Sequence, residues 1–137
     1  MTDALDLTAA DLAHASLAAV RAGDKAAWLD LFEDDAVVED PVGPSGLDKE
    51  GRGRRGKAEI SRFYDDVIAT MSAFDYTIER SYRGGDEVAM VVTFTITVAG
   101  AQPFTMDLVN IYRRSPAGKL ASLRSFWDGS RQGGAAA

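Results

Sequence analysis

The chain has 137 residues, 46% hydrophobic and 26% charged, with a formal net charge of −6 and no cysteine. That length suits one domain, and the acidic balance argues against nucleic acid as a partner, because phosphate binding needs a basic surface. Without cysteine, disulfide and thiolate chemistry are excluded.

The start, M-T-D-A-L-D-L, lacks the basic end and apolar core of a signal peptide. No apolar run approaches the ~20 residues of a membrane span, so a cytoplasmic protein with no membrane attachment is expected. Thr8 and Asp11 form a helix start, and Leu12, Ala13, Leu17 and Val20 recur at helical spacing with Ser16 among them. His14 on this helix has no histidine or cysteine partner, so no metal site is expected. Gly23 ends the helix, and Asp24 caps a second one, residues 25–32, which buries Ala27, Trp28, Leu31 and Phe32.

Next comes F-E-D-D-A-V-V-E-D-P. The apolar run Ala36, Val37, Val38 reads as a strand stopped by Pro41, which has no N–H to give a ladder. Side chains alternate along a strand, so Asp40 shares a face with Val38. If that face is inner, Asp40 is a carboxylate aimed into an apolar interior, where an acid needs a partner or a task. On residue type alone the simpler role is to cap the following turn.

Residues 41–56 are rich in glycine and carry Arg52, Arg54 and Arg55. They read as a solvated loop that is also long enough to act as a lid. A third helix runs from Gly56 to about Met71, with Ile60, Phe63, Tyr64, Val67 and Ile68 on its buried face. Four strands follow, at residues 76–83, 87–99, 103–114 and 119–128, and the tail 129–137 is expected to fray. Helices followed by an antiparallel meander predict a single α+β domain, ordered over residues 8–128.

Treating Gly100-Ala101 as a two-residue hairpin sets Asn110 opposite Val91 and Leu108 opposite Thr93. Closing the next hairpin places Leu123 beside Asn110 and Ser125 beside Leu108. One face then carries Val91, Thr93, Leu108, Asn110, Leu123, Ser125 and Trp127, and the other Met90, Val92, Phe94, Ile96, Val109 and Ile111. Both faces are apolar. One is therefore expected to close over the helices around a pocket, and the other to meet a second copy of the chain in a homodimer.

The order V-R-A-G-D, L-F-E-D-D-A-V-V-E-D-P-V-G, R-G-K-A-E-I-S-R-F-Y, D-L-V-N-I-Y and G-K-L-A-S-L-R-S-F-W resembles the ketosteroid isomerases (steroid Δ-isomerases) of the nuclear transport factor 2-like, polyketide cyclase-like superfamily. The resemblance implies a cone-shaped curved sheet wrapped around three N-terminal helices. It also implies an isomerase moving a double bond from the β,γ to the α,β position of a 3-oxo steroid, with no cofactor. Asp40 would then be the base that carries a proton from C4 to C6 through a dienolate. These isomerases are themselves the type example of an Asp base facing a tyrosine and a protonated Asp.

In this chain Ser16 stands where that family has the tyrosine, and Asn110 where it has the second acid. An amide N–H can still donate to an oxyanion, whereas a serine hydroxyl is a ring shorter. Tyr64 matches a supporting tyrosine and is the expected replacement donor, while Phe32 replaces another. Asp107 falls on the opposite face. The implied catalytic set is Asp40, Asn110 and Tyr64. Ser16, Phe32, Val91, Thr93, Leu108, Leu123, Ser125 and Trp127 would line the site. Other enzymes of this fold, such as polyketide cyclases and epoxide hydrolases, and a non-catalytic module binding an apolar ligand stay open as alternatives.

Overall fold

The structure, a computed structural model, describes residues 6–134. Helix α1 (Ala9–Ala22) opens on a reciprocal cap, in which Thr8 Oγ1 accepts from the Asp11 N–H at 3.1 Å and Asp11 accepts from the Thr8 N–H at 2.9 Å. It stops at Gly23, whose φ of 68° suits a residue without Cβ. Asp24 caps α2 (Lys25–Asp30) through the Ala27 N–H. This helix is shorter than expected, and Phe32 already belongs to strand β1 (Phe32–Glu39).

The loop after Pro41 ends in a short strand β2 (Arg54–Arg55), which pairs with Val37 and Val38 of β1. The Asp48 carboxylate pins it by accepting from the Gly53 N–H at 2.7 Å and the Gly51 N–H at 3.1 Å. Gly53 has φ +76°, and a Cβ there would lie 2.9 Å from Glu39 Cγ. Arg54 lies 5.3 Å over the Phe63 ring and donates to the Leu47 carbonyl, so this arginine secures the loop to its surroundings. Helix α3 (Gly56–Asp66) and a 3₁₀ turn (Ile68–Thr70) complete the helical part.

Strands β3 (Met71–Gly84), β4 (Glu87–Val98), β5 (Phe104–Arg114) and β6 (Leu120–Phe126) form the meander. The curved, unclosed sheet has the order β2-β1-β6-β5-β4-β3, with β1 parallel to β6. Register shifts within β3 mark bulges of the kind that bend a strand. The segment expected to fray instead supplies β7 (Gln132–Gly134), which pairs with the first half of β5 while β6 pairs with the second. Helix α1 packs on β3, β4 and β5, and α3 packs on β1. The core between them holds Leu12, Trp28, Phe32, Val38, Ile60, Phe63 and Val92.

The register differs from expectation. Met90 lies opposite Asn110 and Val92 opposite Leu108, a one-residue slip that exchanges the faces of β4. The cause is the turn. The ladder ends at Ile96–Phe104 because Pro103 has no N–H and the chain turns tightly where Ala101 N–H meets the Val98 carbonyl at 2.9 Å. Val91 and Thr93 therefore belong to the outer face, where the Thr93 hydroxyl donates to Glu79 at 3.1 Å. At the next hairpin a bulge at Arg113/Arg114 sets Ser125 opposite Asn110 and Leu123 opposite Tyr112. That shift is even, so Asn110, Leu123 and Ser125 keep a common face.

Candidate active site

Three neighbouring strands bring Asp40 and Asn110 together. Glu39 of β1 pairs with Arg124 of β6, and Ser125, the next residue, pairs with Asn110 of β5. Val38 is fully buried, so the face it shares with Asp40 is the inner one. The position is held from both sides. Arg124 Nε donates to Glu39 Oε1 at 2.9 Å, and the Val42 N–H donates to the Ser125 carbonyl at 2.8 Å.

Asp40 retains a little solvent contact yet is surrounded by protein. That desolvation pushes its carboxyl up to about 6, against the opposing pull of the Trp127 N–H and the Arg54 charge. Trp127 Nε1 donates to Asp40 Oδ1 at 2.6 Å, and no other hydrogen bond to this carboxylate is present among the described residues. An acid of this kind is ionised near neutrality and still basic enough to take a proton.

Asp40 lines an inner cavity that encloses about 110 Å³. Its polar groups gather at one end, in Ser16, Asp40, Asn110, Tyr112 and Ser125. Half-buried Val20, Ile68, Met71, Phe74 and Ile96 form an apolar approach toward solvent. Among the residues expected at the site, Ser16, Asp40, Asn110, Leu123, Ser125 and Trp127 line this cavity.

Five others do not. Val91 and Thr93 are turned outward by the register. Phe32 has no exposed surface and packs edge-on against Trp28, with centroids 4.8 Å apart. Leu108 is buried in the core and borders the larger groove described below instead. Tyr64 lies behind the Trp28 ring, 5.5 Å away, with the Lys25 ammonium 6.0 Å from its own ring. Burial, followed by the nearby Asp24 charge, raises its phenol. Trp28 thus stands between Tyr64 and the cavity, because helix α3 presents that side chain toward α2. Asp107, excluded from the site by face, is on the outer side in an ion pair with Arg131 at 2.7 Å.

The residue that sequence reasoning passed over is Tyr112. Only 1% exposed, it lines the cavity, and its hydroxyl accepts from Asn110 Nδ2 at 3.1 Å. Burial drives its phenol far above the ordinary range, opposed by hydrogen bonds from Asn110 and Ser16, while the Asp40 charge raises it further. The available signal was its spacing: two residues from Asn110 on a strand means the same face. Trp28 is also on the wall, with Nε1 donating to Ser16 Oγ at 3.1 Å.

A larger groove of about 540 Å³ on the outer side is bordered by Arg80, Val91, Asp107 and Arg131. Its charged border is open to solvent and lacks the carboxylate–amide pair of the inner cavity. Among the described residues no group of three or more His, Asp or Glu side chains could hold a metal ion, and no helix is long and apolar enough to cross a membrane.

The chain is 30% identical over 111 residues to the steroid Delta-isomerase of Nocardioides simplex, covering 81% of this chain and 82% of that protein. The solved Delta 5-3-ketosteroid isomerase from Mycobacterium sp. superposes with a TM-score of 0.85 at 30% identity, covering 92% of this chain and 97% of the other. A Mycobacterium tuberculosis protein solved in complex with estradiol-17beta-hemisuccinate gives a TM-score of 0.84 at 29% identity, over 90% of this chain and 96% of that one. The SnoaL-like domain model matches residues 13–123. With most of its length matched in this way, and with the helix-lined curved sheet described above, the chain belongs to the SnoaL-like domain family, within the nuclear transport factor 2-like fold.

Proposed function

We propose that this chain is a steroid Δ5-3-ketosteroid isomerase in which Asp40 carries a proton from C4 to C6 of a 3-oxo steroid. The observation that carries the reading is the pairing of a desolvated carboxylate with an amide donor at the polar end of an otherwise apolar cavity. Removing a proton next to a ketone needs a base on one side and hydrogen-bond donors where the oxygen gains charge. Asp40, raised to about 6, suits the first task near neutral pH. Asn110 suits the second, since the Ser125 hydroxyl donates to its Oδ1 at 2.6 Å and, with one N–H given to the Tyr112 oxygen, the other is left to donate.

Shape supports the choice of substrate class. An enclosed space of about 110 Å³ holds the reacting ring, and the rest of a flat apolar molecule would lie along Val20, Ile68, Met71 and Phe74. The likeness to a steroid Delta-isomerase and to a protein holding a steroid ester supports this choice. No arginine lines the cavity among the described residues, so the buried Asp-Arg-Asp arrangement expected of an epoxide hydrolase is not assembled there. Association of two copies through the outer face, where Val91, Val109 and Phe126 lie, belongs to the same proposal. A mass that stays monomeric at every concentration in sedimentation would remove it.

The test follows the conjugated enone absorbance with 5-androstene-3,17-dione. Wild type should produce it, and Asp40→Asn should be slower by about 10²–10⁴-fold. Absent activity in the wild type, or unchanged activity in the variant, would overturn the proposal.

A further inference from the structure

The hydrogen bonds at the polar end of the cavity determine which protons are committed and which are free. The Trp28 indole can only donate, and its N–H occupies an acceptor position of Ser16 Oγ at 3.1 Å. The Ser125 hydroxyl donates to Asn110 Oδ1 at 2.6 Å, which turns the amide so that Nδ2 donates to the Tyr112 oxygen at 3.1 Å. The Ser16 hydroxyl lies close enough to the same phenol to favour its anion slightly. A phenol oxygen that accepts from Asn110 still holds its own proton to give. Asn110, Ser16 and Tyr112 line the same cavity as Asp40, so that proton has the cavity as its outlet.

We propose that Tyr112 is the principal catalytic donor of this site, its hydroxyl hydrogen-bonding the substrate oxygen that becomes negative as Asp40 withdraws the proton. The phenol is not consumed. It keeps its proton throughout, and the negative charge leaves the oxygen when Asp40 returns its proton to carbon. Burial far raises the proton affinity of this phenol, in keeping with a donor that stays neutral. Donors that accept hydrogen bonds themselves are polarised and donate more strongly, which gives Asn110 a second use behind Tyr112. The short side chain at Ser16 leaves room on helix α1 for the phenol to reach this place from β5.

The inference rests on the isomerase reading for its substrate, so its test includes a probe that requires no turnover. 2-Naphthol is a flat phenol whose anion imitates a dienolate oxygen. Tyr112→Phe retains the ring and removes the hydroxyl alone. It should lower kcat about a hundredfold with KM within about threefold, and weaken binding of the naphtholate about tenfold or more. A variant that matches wild type in both measurements, or a wild type that does not bind naphtholate, would overturn the inference. If the wild type binds naphtholate but isomerises nothing, the isomerase reading fails while the binding comparison still decides the role of Tyr112. Should Tyr112→Phe lack a cooperative melt, wild type carrying ¹³Cζ-tyrosine replaces it. Of its four tyrosines, Tyr64, Tyr76 and Tyr82 are assigned by single Phe substitutions. The remaining resonance, that of Tyr112, should shift when naphtholate is added, and a resonance that stays in place would overturn the inference.

Discussion

Trp127 and Asp40 meet where two parallel strands end, the indole Nε1 donating to Asp40 Oδ1 at 2.6 Å. Each lies just past its strand, β6 ending at Phe126 and β1 at Glu39. One oxygen of the carboxylate is thereby fixed by a donor that cannot accept a proton in return. Burial outweighs this bond, and the carboxyl rises to about 6 instead of falling.

The first expected outcome is an acid limb in kcat/KM. In the proposed reaction the ionised form of Asp40 takes the proton, so activity should rise with pH through about 6 and level off above it. A profile that stays flat from pH 4.5 to 8 would separate Asp40 from the chemistry.

Trp127→Phe removes the hydrogen bond that favours the carboxylate. The limb should then move upward, by about one pH unit for a bond to a charged group. A downward shift, or none, would show that the indole does not tune this acid.

Stability should respond in the opposite sense to activity. The folded carboxyl, near 6, holds its proton more tightly than the unfolded one, at 3.8. Between those values the native state binds more protons, so stability falls as pH rises from about 4 to 6 and stays reduced above. Asp40→Asn removes that cost, up to about 3 kcal/mol at neutral pH. Thermal melts should therefore show the variant above wild type at neutral pH and level with it near pH 4. A constant offset at all pH values would contradict the linkage.

Asn110→Ala deletes the amide that donates within the cavity and also supports Tyr112. Its kcat should fall about a hundredfold with little change in KM. Ser125→Ala only releases the amide from its orientation, and a smaller loss is expected. Wild-type turnover in Asn110→Ala would exclude the amide as a donor.

Much of this arrangement could be read from local pattern. Period-two alternation put Asp40 on the face of Val38, with Pro41 marking the strand's end, and the same alternation separated Asn110 from Asp107. What escaped depended on non-local geometry. Val91 and Thr93 were assigned to the wrong face because one residue in the turn before Pro103 decides the side for the whole of β4. Tyr64 lies behind Trp28, a consequence of how α3 meets α2, which no periodicity encodes. Phe32 and Leu108 share the apolar character of cavity walls, yet packing places them in the core. Tyr112 was passed over for the converse reason: a tyrosine in a buried strand reads as core until its hydroxyl is found beside Asn110.

The central claim is that a single carboxylate moves the proton. It is tested most directly with a 3-oxo-Δ5 steroid deuterated at both C4 positions, by locating the label in the product. Transfer by Asp40 should leave a substantial part of the removed deuterium at C6 with the wild type, and Asp40→Asn should form no comparable product. Rapid conversion with no deuterium at C6, or label transfer undiminished in Asp40→Asn, would contradict it.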